Sequence, residues 1–257
     1  MITQLVLSGL SGSVVGFTLG LIGGGGSILA VPLIIYVVGV KSPHVAIGTS
    51  AFAVGANALG NFVGHWRRGN VVWPHAAIFA VAGSLGAAAG STLGKLIDGK
   101  KLLIFFALAM VAVAFAMLRP QTDAVDRVAP FDRRIAARLI GLGLLTGAAS
   151  GFFGIGGGFL IVPALMFGGA MPILNAVGSS LLSVGTFGLT TAANYALSGL
   201  IEWPLGAAFL AGGILGGSAG IRLAVRLGAE RRRFARIFAG FLIAVAAYMV
   251  YRTVREF

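Results

Sequence analysis

Charged residues in this 257-residue chain come in clusters, and between the clusters run apolar stretches near the length a helix needs to cross a bilayer. Ten stretches are legible: about 3–22, 26–40, 44–63, 73–93 and 102–118, then 136–153, 157–170, 173–197, 203–224 and 234–252. In hydrocarbon the backbone must satisfy its own hydrogen bonds, and continuous apolar segments of this kind do so as helices. Composition agrees, with 58% hydrophobic and 10% charged residues, where a soluble domain carries about 25% Asp, Glu, Lys and Arg. Lipid is therefore the solvent, and the fold class is all-α, a polytopic membrane protein. The 41 glycines would weaken soluble helices, but they suit membrane helices that pack backbone to backbone.

The net charge of +12 does not mark a nucleic-acid partner. Every basic residue falls between apolar segments or at their ends, with no basic face interleaved with aromatics. The chain has no cysteine, which excludes disulfides, thiolate catalysis and cysteine-ligated metals. The N-terminus, Met1-Ile2-Thr3-Gln4, lacks the positive region of a signal peptide, so the first segment reads as one that is retained.

The segments repeat. Gly12, Gly16, Gly20 and Pro32 recur as Gly143, Gly147, Gly151 and Pro163, an offset of 131. After one deletion the offset becomes 130. Ala46-Ile47-Gly48-Thr49-Ser50 then aligns with Ala176-Val177-Gly178-Ser179-Ser180, Trp73-Pro74 with Trp203-Pro204, and Gly83, Gly86 and Gly90 with Gly213, Gly216 and Gly220. One register kept across five segments is the signature of duplication. The chain divides into a first transmembrane repeat, 1–118, a linker, 119–135, and a second repeat, 136–257. The linker is marked by Asp123, Asp126, Arg127, Asp132, Arg133 and Arg134 with Pro120 and Pro130.

Five segments per unit is an odd number, so the second copy is expected upside down. With ten crossings, thirteen arginines gather on one side: Arg67 and Arg68, five in and beside the linker, and six from Arg222 to Arg236. The other side receives Lys41, Lys95, Lys100, Lys101, Arg252 and Arg255. The positive-inside rule makes the arginine-rich side cytoplasmic, with the linker there and both termini periplasmic. Matching loops carry opposite charge as well: Arg67 and Arg68 in one repeat, Glu202 in the other.

Chemistry can reside in two duplicated features. One is the pair of glycine runs, Gly23-Gly24-Gly25-Gly26-Ser27 and Gly154-Ile155-Gly156-Gly157-Gly158, each preceding a short apolar segment. Short or glycine-interrupted segments at matching places are the sequence pointer to a transporter's binding site. Unwound glycine backbone frees N–H groups and the next helix adds positive partial charge, a combination suited to an anion. A tight turn for close packing is the plainer reading, and whether the short segments cross fully or re-enter is open. The second feature is hydroxyls and amides inside the segments: Thr49-Ser50 and Ser179-Ser180 in matching places, then Asn57, Asn61, Thr186, Thr190, Thr191 and Asn194. Such groups line a polar path or bond neighbouring helices. The candidate substrate-binding set is Gly24, Gly25, Gly26, Ser27, Thr49, Ser50, Asn57, Gly156, Gly157, Gly158, Ser179 and Ser180. The glycine ladders Gly12-x3-Gly16-x3-Gly20 and Gly86-x3-Gly90-x3-Gly94 are small-residue packing faces.

Enzyme readings fare badly. All seven acidic residues lie in loops or at segment ends, and His44, His65 and His75 stand near ends too, with His44 beside a glycine break. Gly9-Leu10-Ser11-Gly12 spells the Gly-x-Ser-Gly of an intramembrane serine protease, but no mid-membrane histidine can serve as its base. Gly94-Lys95 is followed by leucine and makes no P-loop. Nothing asks for a cofactor or a metal. No mid-membrane carboxylate offers itself as a proton relay or a sodium ligand.

The run Gly16-Phe17 to Gly20-Leu21-Ile22-Gly23-Gly24-Gly25-Gly26 through Val31-Pro32, then Ala46-Ile47-Gly48-Thr49-Ser50, resembles the TauE/SafE sulfite exporter family. So does its partner, Gly151-Phe152-Phe153-Gly154 through Val162-Pro163, then Val177-Gly178-Ser179-Ser180. The resemblance covers essentially the whole chain. It implies export of small sulfur-containing anions, sulfite and organosulfonates, across the bacterial inner membrane. Uptake of a sulfonate or another small oxyanion, and a non-transporting membrane scaffold, stand as alternatives. The partners are the anion, the lipid bilayer and, as an open option, a second copy in a homodimer.

Overall fold

The computed structural model describes residues 1–22, 24–118, 128–154, 158–227 and 231–255. Among them are ten α-helices, one for each apolar segment, and one 3-10 helix, η1. The first half holds α1 (Ile2–Ile22), η1 (Gly24–Leu29), α2 (Ala30–Tyr36), α3 (Pro43–Arg67), α4 (Trp73–Leu96) and α5 (Gly99–Leu118). The second holds α6 (Arg133–Phe153), α7 (Gly158–Gly168), α8 (Ile173–Ala196), α9 (Trp203–Leu227) and α10 (Arg231–Arg255). Five of these, in α1, α3, α4, α6 and α8, are long and apolar enough to cross a membrane by length and composition. Shorter apolar helices fall at Gly26–Tyr36 and Ala239–Thr253.

Local sequence sets the ends. Ser42 caps α3 by accepting from the Val45 N–H, with Pro43 at the first helical position where its missing N–H costs nothing. Asp132 caps α6 through the Ile135 N–H at 2.7 Å, which starts that helix three residues before the apolar pattern does. α6 stops at Gly154, whose φ of +66° is a left-handed conformation a side chain resists. Both short helices carry a proline: Pro32 lies in the first turn of α2, and Pro163 lies inside α7.

Glycine decides which helices meet. Gly12 and Gly16 of α1 lie against the carbonyls of Phe209 and Gly213, while Gly212 and Gly216 of α9 lie against those of Gly9 and Ser13. The two helices run parallel with backbones in contact. In the same way Gly143, Gly147 and Gly151 of α6 lie against Phe79, Gly83 and Ala87 of α4. The first helix of each half is thus stapled to the fourth helix of the other, and repeat-related residues make repeat-related contacts.

Where α3 meets α8, the polarity reverses. Gly48 near the start of α3 faces Leu200 beyond the end of α8, and Gly178 near the start of α8 faces Asn70 beyond the end of α3. The helices run antiparallel and cross at Gly55 and Gly188. α5 and α10 pair at the periphery, where Phe106 meets Phe153 and Tyr248 meets Tyr36. The outward faces are apolar: Val81, Leu85, Leu145 and Leu215 are each at least 65% exposed, a surface that belongs in lipid.

Candidate functional site

The crossing of α3 and α8 organises the site. Thr49 and Ser50 lie at the start of α3, Ser179 and Ser180 at the start of α8, and all four are buried. The Thr49 hydroxyl oxygen accepts from the backbone N–H of Glu202 at 3.0 Å, and the Ser179 hydroxyl oxygen accepts from that of Val72, also at 3.0 Å. Residues 49 and 179, and likewise 72 and 202, are one repeat apart, so the same bond is made twice in opposite directions. Each hydroxyl ties the loop that enters α9 or α4 to the opposing half, and each keeps its own hydrogen for another acceptor. Ser50 donates instead, to the carbonyls of Ile47 at 2.9 Å and Gly154 at 3.3 Å. That second bond fastens α3 to the head of the second glycine run. Ser180 donates to Val177 within its own helix.

The glycine runs lie on different neighbours. Gly24, Gly25, Gly26 and Ser27 form η1, in which Gly26 packs on Thr18 and Leu19 of α1 and Ser27 is fully buried. η1 touches α1, α7 and α8. Gly158 is buried at the first position of α7, whereas Gly156 and Gly157 lie outside the described residues, as does Gly23. Ser50 stands five residues before Gly55, about 7.5 Å along the helix. The second break therefore lies to one side of the crossing.

Asn57, 6% exposed, points its amide nitrogen at Gly213, where a Cβ would come within 2.8 Å. Its repeat mate is Phe187, whose ring covers Gly83 and stacks on Phe79. One half thus closes this position with an aromatic ring, and the other leaves an amide there. Asn61 approaches α9 at Gly217.

At the end of the molecule where α4 and α8 finish, Lys95 gathers polar groups that no motif announces. Its ammonium donates to the Asn194 carbonyl at 3.0 Å, the Asn194 Oδ1 at 2.7 Å and the Ser198 hydroxyl at 2.9 Å. Asn194 in turn donates to Ser91 and Thr92 of α4. The sequence signal for this cluster was departure from the repeat: the mates of Lys95 and Asn194 are Val225 and Gly64.

A sequence model described as "Sulfite exporter TauE/SafE" matches residues 8–249. The chain belongs to the TauE/SafE sulfite exporter family. Among TauE/SafE relatives, a "Probable membrane transporter protein" of Xylella fastidiosa is 51% identical, covering 98% of this chain and 97% of its own length. One of the same description from Haemophilus influenzae is 31% identical over 97% of this chain and 99% of itself. "Probable membrane transporter protein YunE" of Bacillus subtilis is 26% identical, with 96% of each covered. No solved structure matches the chain. As a TauE/SafE member the chain is a multi-pass membrane transporter, not an enzyme.

Proposed function

We propose that this transporter exports small sulfur-containing anions, sulfite and organosulfonates, across the bacterial inner membrane through an inverted pair of repeats. The repeats are 1–118 and 136–257, related by a pseudo-two-fold axis in the membrane plane and joined by a cytoplasmic linker, 119–135. The observation that carries this reading is the reciprocal bond pair, Thr49 with Glu202 and Ser179 with Val72, on helices that run antiparallel. An axis along the membrane normal would have left repeat mates parallel. Counting crossings from α3 sets Arg67 and Arg68 on the side of the linker and of Arg222, so the charge asymmetry makes that side cytoplasmic and both termini periplasmic.

In this reading the anion binds where the breaks approach the α3–α8 crossing. Backbone N–H groups of Gly24, Gly25 and Gly26 and of Gly156, Gly157 and Gly158 supply donors, with the N-terminus of α7 adding positive partial charge. Ser27, Thr49, Ser50, Ser179 and Ser180 line the approach, and Asn57 offers an amide. The described acidic residues, Asp98, Asp132 and Glu202, stand at helix ends or in loops, away from the mid-helix positions a proton relay would use. An anion leaving a cell that is negative inside runs downhill by about 2.3 kcal/mol per charge per 100 mV, so export is electrogenic and facilitated. Proteoliposomes loaded with sulfite and clamped with potassium and valinomycin test this. Efflux should rise as the interior becomes negative. Efflux that ignores voltage and follows a pH gradient, or net accumulation from outside, refutes it.

A further inference from the structure

The end of the molecule that carries Lys95 holds a constellation which the binding region above does not use. Lys95 meets no carboxylate within ion-pair distance among the described residues; its donors go to neutral acceptors. The C-terminal carbonyls of α8 offset only about half of its charge. Beneath the ammonium, 5.9 Å from it, lies the ring of Tyr195. Tyr195 is 0% exposed, and its hydroxyl has no hydrogen-bond partner among the described residues. That hydroxyl lies against Gly94, near the last turn of α6: a Cβ at Gly94 would lie 3.4 Å from it and 2.9 Å from the Phe152 carbonyl. His44 at the start of α3 completes the group, with its ring 6.4 Å from that of Tyr195 and its Nδ1 buried without a partner among the described residues.

A lysine capping the end of α8 would account for the bond to the Asn194 carbonyl. It would not account for a buried phenol and a buried ring nitrogen left unpartnered beside it, since buried polar groups are nearly always satisfied. The repeat supplies a control. One unit away the same places hold Val225 for Lys95, His65 for Tyr195, Leu174 for His44 and Gly64 for Asn194. The set is built at one end only. What it lacks is an acceptor bearing negative charge.

We propose that Lys95, Tyr195 and His44 form a holding station for a small oxyanion at this end of the molecule, beside the last turn of α6. The station rests on the anion-transport reading and deepens it. The phenol hydroxyl donates to an anion oxygen and the His44 ring lies beside it. Lys95 exchanges its neutral acceptors, Asn194 and Ser198, for the anion, because an oxyanion adds the attraction of a full opposite charge that neutral acceptors lack. That exchange also loosens the tie between α4 and α8.

Sulfite flux against concentration in proteoliposomes tests the station, at low and high ionic strength, for wild type, Lys95→Met, Lys95→Arg and Tyr195→Phe. Loss of one charge-assisted bond should raise KM about tenfold in Lys95→Met, with the maximal rate held and some thermal stability lost along with the ties to Asn194 and Ser198. Lys95→Arg should restore KM, and Tyr195→Phe should raise it without lowering stability. Wild-type KM should climb with salt while that of Lys95→Met stays flat. Unchanged KM in Lys95→Met and Tyr195→Phe, or joint loss of rate and stability with KM intact, overturns the station. If Lys95→Met fails to insert, Tyr195→Phe decides. A wild-type protein that moves neither sulfite, sulfate nor thiosulfate sinks the transport reading, and the station with it.

Discussion

Gly16→Ala should separate two helices that the fold holds backbone to backbone. A Cβ at residue 16 would stand 2.7 Å from the Gly213 Cα and carbonyl carbon, where ordinary contact begins at 3.4 Å. No rotamer can relieve this, because the obstacle is main chain, so α1 and α9 must part by at least about 0.7 Å; a gap of that size forfeits a quarter to a half of each dispersion contact along the seam. Overpacking costs about 1–3 kcal/mol, and a backbone obstacle belongs at the upper end. Alanine's better helix propensity returns up to about 1 kcal/mol. The net is a loss of about 2 kcal/mol of unfolding free energy. Gly217→Ala is the matched control: its Cβ would meet nothing closer than 3.5 Å, so it should be neutral or stabilising by up to about 1 kcal/mol. Unfolding of purified protein in mixed detergent and SDS micelles, followed by tryptophan fluorescence, reads the difference. A Gly16→Ala protein as stable as wild type, or less harmed than Gly217→Ala, would refute the packing argument.

Two other substitutions probe the crossing. Thr49→Val removes the acceptor for the part-buried Glu202 N–H and should cost about 1 kcal/mol in the same unfolding assay, as should Ser179→Ala for Val72; Thr49→Ser should stay near wild type, and equal loss in Thr49→Ser would discount the bond. Asn57→Phe copies the residue that fills the matching place in the other repeat. It should keep stability, as Phe187 does over Gly83, yet abolish sulfite flux, and undiminished flux would remove Asn57 from the pathway.

Much of this arrangement is legible in the chain itself. Hydropathy places the helices to within a few residues, and the repeat register, read from Pro32 and Pro163 or from Trp73 and Trp203, foretells which residues make matching contacts. What it does not foretell is partner choice. The ladder Gly12, Gly16 and Gly20 announces a close-packing face but is equally compatible with α4 of its own half or α9 of the other, because both carry complementary glycines. In sequence Thr49 and Ser179 read as substrate contacts or as partners of neighbouring helices. Their task as acceptors for the N–H groups of residues 202 and 72 arises only when distant loops are brought over them. Tyr195 looks like an ordinary end-of-helix aromatic until Gly48 and Gly94 close around it. Gly154 announces flexibility, and its positive φ turns that into a fixed helix stop.

The exchange of first helices between halves also dictates an order of events during synthesis. Gly16 leaves the ribosome about 200 residues before Gly213, and at roughly 5–20 residues per second the wait is about 10–40 s. Throughout that interval the glycine seam of α1 faces lipid or the insertion machinery, without the backbone it will finally touch. α6, by contrast, emerges after α4 is complete and can dock on arrival. The two halves, so alike in sequence, thus mature by different routes. Premature termination anywhere before α9 strands α1 with its packing face bare, a ready mark for membrane quality control.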